Sequence, residues 1–115
     1  MSVPDRPLSF NRQVALDRVG GDEELFREVA QLFLTEYPAL LEAVTVAVDT
    51  ADPAGLLRSA HTLKGSLGSL GADRAADTAL RLEAMGRLGQ MHGSRQACEE
   101  LRQLLAELHK ELRDL

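Results

Sequence analysis

At 115 residues the chain is long enough to bury one core and suits a single domain. Hydrophobic residues make up an ordinary 44% but aromatics only 3%. The core is therefore expected to rest on Leu, Val and Ala, and the abundance of Leu, Ala, Glu and Arg favours helices over strands. A formal charge of −5 with no dense Lys/Arg cluster argues against a nucleic-acid partner, and the single Cys98 excludes an internal disulfide or a cysteine-rich metal knuckle. No apolar run resembles a signal peptide or is long enough to span a bilayer, so a cytoplasmic setting is expected.

Residues 1–8, with two prolines, read as a flexible lead-in. Asn11 or Ser9 caps a short helix holding Val14, Ala15 and Leu16, which ends at Gly20-Gly21. Asp22 caps a longer one, with Glu23 and Glu24 in the first turn where the helix dipole favours acids. Its apolar residues Leu25, Val29, Leu32, Phe33, Leu40, Leu41, Val44 and Val48 keep helical spacing. Pro38 interrupts this run, but the spacing resumes directly after it. One kinked helix from about Asp22 to about Thr50 is favoured over two.

Asp52-Pro53 is a start signal, a capping side chain followed by proline at the first helical position. That helix runs to Leu70 and stops at Gly71. A further helix covers roughly Asp73 to Leu88, with Ala75, Ala79, Leu82 and Met85 on one side. Residues 89–93 form a loop, and Ser94 caps a last helix carrying Cys98, Leu101, Leu104, Leu105, Leu108 and Leu112. The pattern predicts an all-α fold, an antiparallel up-down-up-down four-helix bundle with the short N-terminal helix as a lid.

The helix after Asp52 carries more than a core face. Successive residues turn about 100° around the axis, which gathers Leu56, Ala60, Leu63, Leu67 and Leu70 into one narrow stripe. His61 points about 120–140° away from the centre of that stripe. Lys64, Gly65 and Gly68 follow it at intervals of three, four and seven, and Leu57 precedes it by one turn, so all share its outward face. A glycine inside a helix costs about 1 kcal/mol relative to alanine, and two on one exposed face suggest that another molecule's backbone comes close there. A neutral imidazole is a competent nucleophile for phosphorus, and Lys64 can set a positive charge beside phosphoryl oxygens. Arg58, one turn earlier, adds at most a weaker contribution and reads first as a solvated arginine.

The run His61-Thr62-Leu63-Lys64-Gly65-Ser66-Leu67-Gly68-Ser69-Leu70-Gly71 closely resembles the signature of the histidine phosphotransfer (HPt) family. The stretches 20–26, 33–38 and 80–83 resemble the family's flanking helices, so the likeness spans about residues 9–115. Ser69 stands where many relatives have asparagine. The resemblance implies a monomeric bundle that shuttles a phosphoryl group between receiver-domain aspartates in a multistep phosphorelay. By that resemblance His61 accepts the phosphoryl group and Lys64 steadies it. Leu57, Arg58, Gly65 and Gly68 would form the surface for response-regulator receivers, one of them within a hybrid sensor histidine kinase in some relays. No cofactor is expected on this chain, because the Mg²⁺ would belong to the receiver.

Three other readings compete. A phosphoacceptor domain of a histidine kinase commonly has an acid directly after the histidine, where Thr62 stands here, and no glycine-rich nucleotide loop is present to make the chain an enzyme. A bundle that docks on receivers without transferring phosphate would use the same stripe. Metal binding by His61, His92 and His109 is disfavoured, since they lie on different elements without an acid cluster. The acids Glu99, Glu100, Glu107 and Glu111 read as the solvated face of the last helix.

Overall fold

The computed structural model describes residues 8–115, so apart from Leu8 the expected lead-in lies outside the described residues. Among these are five helices and no strand: α1 (Arg12–Arg18), α2 (Glu23–Asp49), α3 (Pro53–Ser69), α4 (Asp73–Leu88) and α5 (Ser94–Arg113). The first three begin as their sequences direct. The side chains of Asn11, Asp22 and Asp52 accept from the backbone N–H groups of Val14, Leu25 and Gly55 at 3.0–3.1 Å. Each cap is worth about 1 kcal/mol. The end of α3 is a Schellman turn. Gly71 takes φ +68°, its N–H donates to the Gly68 carbonyl, and that of Ala72 donates to the Leu67 carbonyl.

One expected cap is different. Ser94 does not cap α5; Gly93 holds the cap position at φ +85°, and Ser94 is the first helical residue, buried. The left-handed turn at Gly93 is what brings the chain into α5 here, so no side-chain acceptor is used. Helix α2 runs unbroken through Pro38. The proline lies on an exposed face, where water can satisfy the carbonyl of Leu34 that it leaves without a donor.

Each long helix packs on two neighbours: α2 on α3 and α5, α4 on α3 and α5. The short links 50–52, 70–72 and 89–93 make consecutive helices antiparallel, and α1 lies against α2 and α3. The stripe Leu56, Ala60, Leu63, Leu67 and Leu70 is fully buried, as are Leu101, Leu105 and Leu108 of α5. On α2 the expected face is shifted. Leu25 and Leu32 are exposed, and Phe26 and Ala30 join the expected Phe33, Val44 and Val48 in the core. All three phenylalanines are buried, so the core is not purely aliphatic.

Helices α3 and α4 approach each other closely at Gly86. A Cβ there would stand 2.6 Å from the Leu57 nitrogen and 2.7 Å from the Pro53 carbonyl oxygen. A bare backbone at this position lets α4 lie directly against the first turns of α3.

Candidate functional site

His61 lies in the middle of α3 with its side chain 65% exposed. Across from it on α4, Glu83 is 1% exposed, so its charge must be paired to be tolerated. The pairing is complete. Glu83 Oε2 lies 2.5 Å from His61 Nδ1 and Oε1 lies 2.7 Å from Lys64 Nζ. Arg87, one turn further along α4, brings Nη2 to 3.6 Å from Oε2. The Lys64 hydrogen bond is the main cause holding the Glu83 carboxyl below its ordinary value; desolvation opposes it, and His61 adds to the lowering.

An ionised carboxylate only accepts hydrogen bonds, so Nδ1 of His61 must be the protonated nitrogen in this contact. The ring is therefore held as the Nδ1–H tautomer when neutral, which leaves the lone pair on Nε2. Nε2 has no hydrogen-bond partner among the described residues. The arrangement is a nucleophilic nitrogen on an exposed ring, oriented from behind by a buried anion.

The other expected residues divide around this ring. Lys64 leans toward α4 and is already engaged by Glu83. Arg58 is exposed on the opposite flank, where with Ser59 and Thr62 it lines a shallow groove against Ala43 and Val46 of α2. Leu57 is half-buried because its backbone carries the contact with Gly86. Gly65 and Gly68 have open space where a Cβ would be, with nothing within 4 Å. Neighbouring helices therefore do not require glycine at either position. Ser69 turns its hydroxyl back to the Gly65 carbonyl at 3.2 Å and so presents no fixed outward contact.

His92 lies in the loop before α5, and His109 shares a hydrogen bond with the Tyr37 hydroxyl at 2.7 Å, far along the bundle from His61 in sequence and element. Among the described residues no three His, Cys, Asp or Glu side chains are grouped to hold a metal ion. Glu83 is the residue that sequence reasoning missed. A signal for it existed: it follows Ala79 by four and precedes Gly86 by three, which puts an acid on the buried stripe of α4 and calls for a cation across the interface.

The family model of the Hpt domain matches residues 28–111. The chain belongs to the Hpt domain family. Its fold is similar to that of histidine-containing phosphotransfer protein B from Pseudomonas aeruginosa, with a TM-score of 0.85 at 19% sequence identity, covering 98% of this chain and 95% of that one. No curated protein matches the chain in sequence. Within the Hpt fold, the site lies on the outer surface of the α3–α4 pair, and no helix among the described residues is long and apolar enough to cross a membrane.

Proposed function

We propose that this Hpt domain carries a phosphoryl group on Nε2 of His61, receiving it from an aspartyl phosphate of one receiver domain and passing it to the aspartate of another. The observation that carries this reading is the Glu83 contact at 2.5 Å, in which the carboxylate accepts from Nδ1–H, keeps the proton on Nδ1 and leaves Nε2 as an outward nucleophile. In the forward step a P–Nε2 bond forms while the P–O bond to the donor aspartate breaks. The electron pair leaves with the carboxylate oxygen. No proton has to move, because Nδ1–H stays in place and the positive charge gained by the ring lies beside the Glu83 carboxylate. In the return step the ring leaves as neutral imidazole, a far better leaving group than an imidazolate.

Lys64 sets a cation one turn from the ring, where it favours the negative phosphoryl oxygens. A Mg²⁺ held by the receiver would supply the matching neutralisation at its aspartate. Open backbone at Gly65 and Gly68 admits the receiver's surface, while Leu57 and Arg58 border the contact. The chain acts as a monomeric, cytoplasmic phosphocarrier in this reading and has no kinase activity of its own.

The test is transfer from receivers phosphorylated with a labelled small-molecule donor. The wild-type chain should take up label and pass it to a second receiver, and His61→Gln should do neither. Label retained by His61→Gln, or uptake from ATP without any kinase present, would overturn the reading.

A further inference from the structure

Three donors converge on the single carboxylate of Glu83, but only two of them are well held. His61 Nδ1 and Lys64 Nζ take one oxygen each at 2.5 and 2.7 Å. Arg87 reaches only the oxygen already bonded to His61, at 3.6 Å, beyond hydrogen-bonding distance, and its side chain is 62% exposed. Its guanidinium therefore stands beside the His61 ring without a fixed hydrogen bond to Glu83. The charges around the ring are unbalanced. Lys64 and Arg87 face one anion. The surplus of positive charge sits where a phosphoryl group would add about −2.

We infer that Arg87 is a second phosphoryl-binding residue, which leaves Glu83 when His61 is phosphorylated and clasps two phosphoryl oxygens with its planar fork. Arginine is the side chain suited to this, since its two parallel N–H donors match a phosphoryl edge, whereas Lys64 is a point charge already committed to Glu83. A position in the last turn of α4 also favours a cation through the helix dipole, but that preference would be met equally by an arginine turned to solvent. The inference rests on His61 being the acceptor.

Phosphoramidate, a small phosphodonor for histidine, tests it on the full chain. The variants are Arg87→Ala, Arg87→Lys and, as a control with the same loss of charge, Arg81→Ala, whose exposed side chain pairs with Glu100 on α5. ³¹P NMR follows the ionisation of the phosphoryl group, and ¹⁵N shifts follow the ring separately. Arg87→Ala should raise the phosphoryl midpoint by about half a unit or more relative to Arg81→Ala, with Arg87→Lys recovering part of the difference. Equal midpoints for Arg87→Ala and Arg81→Ala would overturn the role of Arg87 while leaving His61 as acceptor. Phosphorylation of a His61→Gln chain under the same conditions would instead bring down the assignment of His61 beneath it.

Discussion

Glu83 is the residue that orients the His61 ring and fixes its tautomer. Its carboxyl is held below the ordinary value of 4.5 chiefly by Lys64, with His61 assisting. The folded chain thus keeps a carboxylate at acidities where the unfolded chain takes up a proton. Its contribution to stability is complete above the unfolded value and is lost as pH falls through the lower folded one. Urea denaturation of wild type and Glu83→Gln should therefore differ by about 1–2 kcal/mol at neutral pH, with the difference shrinking below about pH 4.5. A difference that grows on acidification would contradict this. Glu83→Ala should in addition release the ring tautomer, visible as a change in the ¹⁵N shifts of His61. Sequence alone made His61 and Lys64 legible because both lie on one helix, where spacing translates directly into a shared face. Their anion comes from another helix, and its distance to His61 depends on the α3–α4 packing, which helical spacing does not encode.

The same distinction applies to the glycines of α3 and α4. Gly65 and Gly68 have room for a side chain, and Gly86 has none. Alanine at 65 or 68 should stabilise the fold by up to about 1 kcal/mol through helix propensity, yet slow phosphotransfer by obstructing the receiver. Alanine at 86 should destabilise by about 1–3 kcal/mol, because α3 and α4 must separate to admit it. Thermal denaturation paired with transfer rates checks both expectations. If Gly65→Ala left both stability and transfer unchanged, the glycine would serve neither purpose. Gly65 and Gly68 stood out in sequence because a wheel separates them from the leucine stripe. Gly86 did not, because a close interhelical contact depends on which helix lies opposite. On α2 the wheel was less informative still. Apolar residues occur on more than one side, and the choice of Phe26 and Ala30 over Leu25 and Leu32 is made by the neighbours rather than by the helix.

At the scale of the whole molecule, bundle topology followed from the links, since short connections leave little alternative to antiparallel neighbours. What the sequence did not reveal is how the first described residues are fastened. Glu111, expected on the solvated face of the last helix, accepts from the Ser9 backbone N–H at 2.6 Å and from the Ser9 hydroxyl at 2.7 Å. A contact between residues 102 positions apart leaves no trace in local periodicity. Next to it, Phe10 stacks on Phe26, and the Asn11 N–H donates to the Gly71 carbonyl at 3.0 Å. The segment before α1 is thus tied to α5, to α2 and to the end of α3, but none of these ties involves His61, Lys64, Glu83 or Arg87. These contacts make the segment before α1 a structural brace at the Gly71 end of α3. Glu111→Ala removes two hydrogen bonds to a charged, partly exposed group and should cost about 1–2 kcal/mol. Amide exchange should quicken at residues 9–11, where the lost bonds lie, and remain slow across the middle of α3. Transfer through His61 should proceed at the wild-type rate under conditions where the variant is folded. A slowed transfer in folded Glu111→Ala would show that the brace reaches the site after all.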